Sequence, residues 1–308
     1  MIKKICIAII LVLVVLIGFT GWYIFNENIQ NQEVVDSEPL VKNELSERTL
    51  DGLRIMYSEF GNNSFYEERE GELVKDSFIE RNFFSYDLQN ARQAGIRVDG
   101  ETQNYVVEVT DEFEQWEVLD DSEDIKADIA MDKNGKYIAY SIANGPETSL
   151  VNNWSVVVVD IDLGTRKVIP TAYAPQFVEM DNLTEGGVLF DSTEGLTVFD
   201  LSSVSKYTNS NFAKTDVGSR SWVTPDGQYV LIYNNILRKY DVYAFTLADP
   251  LLLSPVSQID SLSLDTLSNK RALSLIGPEL YSFDLLTGSR ELIYVFDKEE
   301  LPTKIQLK

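Results

Sequence analysis

Carboxylates are the only abundant side chains in this sequence that could carry out chemistry unaided. Among 308 residues there are 49 Asp and Glu against 26 Lys and Arg, no histidine, and one cysteine, Cys6. A Ser-His-Asp triad, a histidine zinc site and a two-histidine metalloprotease helix are therefore excluded, and beyond residue 6 so is a thiol nucleophile. No Gly-x-Ser-x-Gly elbow, phosphate-cradling loop or dinucleotide fingerprint occurs. A pair of carboxylates can still hydrolyse a glycosidic bond, which keeps a carboxylate-dependent glycoside hydrolase as one alternative function, although no Ser-x-Asp-x-Gly-x-x-Trp box of the sialidase kind is present. Calcium is raised by Asp120-Asp121-Ser122-Glu123-Asp124 and by Asp160 with Asp162, and a calcium-dependent adhesion module is the second alternative. Neither cluster follows the spaced twelve-residue calcium loop. The expectation is a protein that is not an enzyme, with no catalytic residues, no metal and no cofactor.

Charge narrows the partners. The formal net charge is −23, and the only charges in the first 25 residues are Lys3 and Lys4, so the remainder is more acidic still. Such a surface repels phosphate backbones, and no nucleic-acid partner is expected. Asn62, Asn153 and Asn182 each begin an Asn-x-Ser/Thr triplet, which matters only in a glycosylating host.

The elements that would position any site fall into three segments. Residues 1–25 read as an N-terminal membrane anchor. After Lys3 and Lys4 an uncharged stretch of 21 residues, Ile5 to Phe25, would span roughly 30 Å as a helix, about the thickness of a bilayer core. Trp22 and Tyr23 stand near its outer end, and the lysines predict a cytoplasmic N-terminus. That places the chain in the cell membrane as a single-pass protein with the rest extracytoplasmic. A cleaved secretion signal is the competing reading, but Gly18-Phe19-Thr20 is a poor small-x-small site. Residues 26–44 are polar, acidic and aperiodic, as expected of a stalk. Residues 45–308 form the folded domain.

A repeat of about forty residues organises that domain. The clearest unit is Ser221-Trp222-Val223-Thr224-Pro225-Asp226-Gly227-Gln228-Tyr229-Val230-Leu231-Ile232-Tyr233, followed by Leu237 to Tyr243. A second runs from Asp132-Lys133-Asn134-Gly135 through Tyr137 to Tyr140 and on to Asp160-Ile161-Asp162-Leu163-Gly164-Thr165, and a third from Ser268-Asn269 to Asp284-Leu285-Leu286-Thr287-Gly288. Fainter copies start near Gly52, Gly95 and Gly187. The candidate turn positions Gly52, Gly95, Gly135, Gly187, Gly227 and Asn269 are 40 to 52 residues apart. Later aspartates Asp160, Asp200, Asp241 and Asp284 recur at 40 to 43. Strands such as Tyr229 to Tyr233 carry bulky side chains at nearly every position, the mark of burial on both faces. Radially stacked small sheets provide that burial. The expected fold is all-β, a six-bladed β-propeller of four-stranded antiparallel blades preceded by one transmembrane helix. A β-sandwich is the rival architecture, and seven blades would follow if the stalk hid one.

Thr224-Pro225-Asp226-Gly227 and Asp284-Leu285-Leu286-Thr287-Gly288 resemble the turn motifs of the TolB-like (WD40-like) β-propeller repeat family. Asp162-Leu163-Gly164-Thr165 matches with its Gly and Thr rearranged. The resemblance covers about residues 45 to 296 and implies a six-bladed fold often used for binding; it transfers no function.

Recognition is expected on inserted loops. From turn to later aspartate the spacing is 13 to 16 residues in four units, but 35 from Gly52 to Asp87 and 25 from Gly135 to Asp160. Two insertions between second and third strands would decorate one rim. The first offers Asn62, Asn63, Phe65, Tyr66 and Glu67; the second offers Asn144, Glu147, Asn152, Asn153 and Trp154. Rings beside amides suit a protein or glycan partner, so the expected function is a membrane-tethered, non-catalytic binding or scaffold module.

Overall fold

The computed structural model describes residues 53–307 apart from the short stretches 60–61, 70–71, 80–82, 90–91, 111–114, 297–301 and residue 303. These belong to one compact unit, Glu44–Lys308. Every extended element is a β-strand, and the only helices among the described residues are two single 3-10 turns.

Three strands come first: β1 (Leu53–Glu59), β2 (Asn62–Arg69) and β3 (Glu72–Ile79). Five blades then follow, each made of four consecutive antiparallel strands. They are β4 (Ser85–Gln89), β5 (Arg92–Val98), β6 (Tyr105–Thr110) and β7 (Trp116–Asp120); β8 (Lys126–Met131), β9 (Tyr137–Ala143), β10 (Trp154–Asp160) and β11 (Thr165–Pro170); and β12 (Ala172–Val178), β13 (Gly187–Ser192), β14 (Leu196–Asp200) and β15 (Lys206–Asn209). The last two are β16 (Trp222–Val223), β17 (Tyr229–Asn234), β18 (Lys239–Thr246) and β19 (Leu252–Ile259), then β20 (Thr266–Leu267), β21 (Arg271–Ile276), β22 (Glu279–Asp284) and β23 (Arg290–Val295). Finally β24 (Lys304–Leu307) pairs antiparallel with β1, giving a composite four-stranded sheet in the order β24-β1-β2-β3.

The expectation of a six-bladed propeller is corrected by this connectivity to a propeller of five contiguous four-stranded antiparallel blades and one composite sheet. Five blades are contiguous repeats, whereas the composite sheet is assembled from strands at the two ends of the described chain. Two presumed turns are also misplaced. Gly95 lies inside β5 opposite Tyr86, in a site where an added Cβ would come within 2.3 Å of the Phe83 ring. Gly187 is the first residue of β13, with Leu183 and Val198 against it. Both glycines therefore serve close packing rather than reversal.

The transmembrane helix is likewise corrected. Among the described residues no helix is long and apolar enough to cross a membrane. Ile5 to Phe25, on which the single-pass placement in the cell membrane rested, and the stalk at 26–44 lie outside the described residues.

The core lies between sheets, as strands apolar on both faces require. All seven residues of β10 are buried, as are all six of β13 and all five of β14. One cluster joins Ile96 and Val107 to Ile138, Tyr140 and Val157; another joins Val156, Val158 and Ile169 to Val188 and Phe190 across the next interface. Leu189, between those last two, is buried on the opposite face of β13 with Val178, Val198 and Val230.

The hairpin turns follow from local chemistry. In Thr224-Pro225-Asp226-Gly227 the glycine has φ +66° and donates its N–H to Thr224 O at 2.8 Å, while Thr224 Oγ1 accepts from Tyr229 N at 3.0 Å. Asp132 plays the part of Thr224 in the second repeat, where Gly135 has φ +67° and Asp132 Oδ1 accepts from Tyr137 N at 2.5 Å. Glycine reaches this left-handed region without a Cβ penalty. Asp160, Asp200 and Asp284 each end a third strand and accept backbone N–H groups from the following turn. Asp241 instead sits inside β18, so its place in that series is corrected.

Candidate functional site

The inner strands β4, β8, β12, β16, β20 and β24 all contribute to the wall of one cavity of about 1220 Å³. Its mouth lies among the first-to-second-strand turns, at Asp132 to Asn134, Glu179 to Gly186 and Pro225 to Gln228. Charges at this mouth are paired across blades: Lys133 with Glu179, and Lys136 with Glu185 at 3.3 Å. Tyr137 OH also donates to Glu185, at 2.9 Å, and the two contacts hold the Glu185 carboxyl below its ordinary range.

Polar side chains lace one inner strand to the next, satisfying N–H groups that no neighbouring strand can reach. Ile129 N donates to Ser85 Oγ at 3.0 Å and Met131 N to Asp87 Oδ2 at 2.8 Å. Gln176 on β12 accepts from Val223 N at 3.3 Å and donates to Ser221 O. Both β8 and β12 carry a bulge, between Ala127 and Ala130 and between Tyr173 and Gln176. Each bulge holds a non-glycine residue at positive φ, Asp128 at +49° and Ala174 at +55°. Conformations of this kind are uncommon outside glycine and often accompany a re-aimed side chain.

Arg220, just ahead of β16, stands in the cavity wall. Its guanidinium lies over the Trp222 ring, 3.6 Å from the centroid, and 3.9 Å from Asp128 Oδ1. Burial pushes the Arg220 pKa down, and the nearby Asp128, Tyr240, Tyr173 and Asp87 oppose that shift. Burial and the Asp128 charge push the Tyr173 phenol up. Burial likewise raises Asp265 on the cavity wall, although Leu275 N donates to it at 2.6 Å.

The inserted residues read from the sequence are not all where they were expected. Asn62, Asn63, Phe65, Tyr66 and Glu67 lie in β2, in register with Glu59, Ser58, Met56, Ile55 and Arg54 of β1. The interval from Gly52 to Asp87 therefore contains three strands and the start of β4, not a long loop. The second insertion is a true loop between β9 and β10 and includes a 3-10 turn, Val151–Asn153. Its polar groups are largely engaged in its own fold. Trp154 Nε1 donates to Thr148 O at 3.0 Å, Asn153 Nδ2 to Glu147 O at 3.0 Å, and Asn144 Nδ2 to Ser155 Oγ at 3.0 Å. Glu147 accepts from Ser149 Oγ at 3.2 Å, and Asn152 is exposed. Leu150 bridges Asp216, which ties this loop to the link leading to Arg220. The structure does not bring the two sets together into one loop cluster.

Sequence reasoning passed over Arg220, Asp128 and Asp265. The usable signal was the position of Arg220-Ser221-Trp222 just before a Thr-Pro-Asp-Gly turn, since the strand ahead of that turn is the inner one of its blade.

TolB from Acinetobacter baumannii superposes with a TM-score of 0.54 at 12% identity, covering 83% of this chain and 66% of that one. The fold is a TolB-like β-propeller. A putative 6-phosphogluconolactonase from Bacteroides uniformis matches with a TM-score of 0.49 at 12% identity, over 83% of this chain and 85% of that one. This chain spans just under two thirds of the TolB it matches. No family model matches the chain, and no curated protein does. At this identity the TolB-like propeller is a statement about fold.

Proposed function

We propose that this TolB-like propeller is a non-catalytic binding module that receives a segment of a protein partner in its axial cavity. The supporting observation is the convergence of all the inner strands on one cavity of about 1220 Å³ whose wall mixes aromatic, aliphatic and charged groups. Concave sites with a few placed polar groups on a rigid frame are where ligands bind.

Ala130, on β8 in the cavity wall, offers a test. Peptides selected from a random display library by the wild-type chain should bind more weakly to Ala130→Trp, which projects a bulky ring from the cavity wall while leaving the outer strands alone. Equal binding by both proteins would refute the cavity as the site. Release of reducing sugar from a glycan panel would refute the non-catalytic part and favour the hydrolase.

A further inference from the structure

Arg220 differs from an ordinary wall residue in what surrounds its donors. Among the described residues no oxygen accepts a hydrogen bond from it; the nearest acidic oxygen, on Asp128, is 3.9 Å away. Its side chain nonetheless keeps 32% of its surface open, and that surface faces the cavity. Trp222 covers one face of the guanidinium. Stacking occupies the flat face and leaves the in-plane N–H groups available, the geometry in which arginine takes a carboxylate with two parallel bonds.

We propose that Arg220 anchors a carboxylate carried by a peptide that enters the axial cavity. This deepens the binding reading above and rests on it. A single carboxylate fits the local charge better than a phosphate dianion does. Asp128 and Asp87 both lie close enough to act on the Arg220 charge, so the site holds one added negative charge more readily than two. At the mouth Asp132, Glu179, Asp181, Glu185 and Asp226 outnumber Lys133 and Lys136, which favours a peptide whose remaining charges are positive. At the start of β10, Trp154 packs edge-on against Tyr173, with centroids 4.9 Å apart, and Tyr173 stands beside Asp128.

The test uses the full chain and calorimetric titration with four probes: a lysine-containing hexapeptide with a free C-terminal carboxylate, its C-terminal amide, the amide carrying one internal glutamate, and inorganic phosphate. The free-acid or glutamate peptide should bind at least tenfold more tightly than the plain amide, and phosphate should bind more weakly than either. Whichever carboxylate form binds best identifies its source as a chain end or a side chain. Arg220→Gln should abolish the difference, and Arg220→Lys, which keeps the charge but loses the fork, should retain only part of it. Equal affinity of both carboxylate peptides and the plain amide, preference for phosphate, or an unchanged difference in Arg220→Gln would overturn the anchor. If carboxylate and amide peptides bind equally and Ala130→Trp weakens both, the anchor fails and the cavity reading stands. If Ala130→Trp leaves both intact, the cavity reading fails as well.

Discussion

Two enclosed cations, Lys126 and Arg220, are treated in opposite ways by the same fold. Lys126 is fully buried, and its ammonium donates to Tyr105 O, Ser122 O, Ser122 Oγ and Asp124 O at 2.8 to 3.2 Å, with Asp120 Oδ1 3.4 Å away. Asp120 in turn accepts from Tyr140 OH at 2.6 Å and lies 3.5 Å from Arg166. Arg220 has a ring beneath it, a carboxylate at a distance and open cavity in front. The first arrangement is a closed cross-link between neighbouring blades, and the second leaves donor capacity for something not in the chain. Burial of a cation thus says little by itself; the count of acceptors separates a structural charge from one that can receive a ligand.

Removing each charge should widen or collapse that contrast. The largest effect is expected for Lys126→Met, which takes a charge partner from Asp120 and leaves several carbonyls without their donor. Breaking a buried pair in this way costs about 3–5 kcal/mol, measurable by urea denaturation. A loss under about 1 kcal/mol would place Lys126 with Arg220 instead.

Acid should act on the same cross-link next. Burial alone would raise the Asp120 carboxyl, but the hydrogen bonds from Tyr140 and Ser122 and the Lys126 charge outweigh it, and the net shift is downward. A lowered carboxyl stabilises the fold above its unfolded pKa, about 3.9, and that contribution fades as pH falls through the lower folded value. Melting temperatures below pH 4 should therefore fall less steeply in Asp120→Asn than in the wild type.

A smaller effect of opposite sign is expected at Asp265, whose carboxyl burial pushes up. The folded state there disfavours the charged form, so Asp265→Asn should raise the melting temperature at neutral pH. The gain should shrink as the pH is lowered toward the raised pKa, where the wild-type carboxyl takes up its proton. Smallest of all is Arg220→Gln. With no hydrogen bond lost, its unfolding free energy should lie within about 1 kcal/mol of the wild type, and a larger destabilisation would mean that Arg220 is structural after all.

The repeat was legible because glycine at positive φ and strands apolar on both faces leave strong local marks. Gly135, Gly227 and the Asp284 turn sit where the pattern placed them. Gly95 and Gly187 misled because a glycine required for close packing looks the same in sequence as one required for a turn. Asn62 to Glu67 misled for a different reason: β2 sets two aromatic residues among polar ones, so it lacks the all-apolar run that marked the other strands. Arg220 was passed over because its role depends on the cavity around it: Arg220-Ser221-Trp222 marks an inner strand in the sequence, but the bulge at Asp128 has no local signature.

The pairing of β24 with β1 carries a kinetic consequence. Leu53 lies opposite Leu307, so β1 must wait, with one edge open, until β24 has been made and threaded into place. Contacts so distant in sequence slow folding, and an open edge invites pairing with the wrong strand. A circular permutant that joins β24 directly to β1 and opens the chain between β23 and β24 would turn this closure into a local hairpin, and it should refold faster and aggregate less than the natural order.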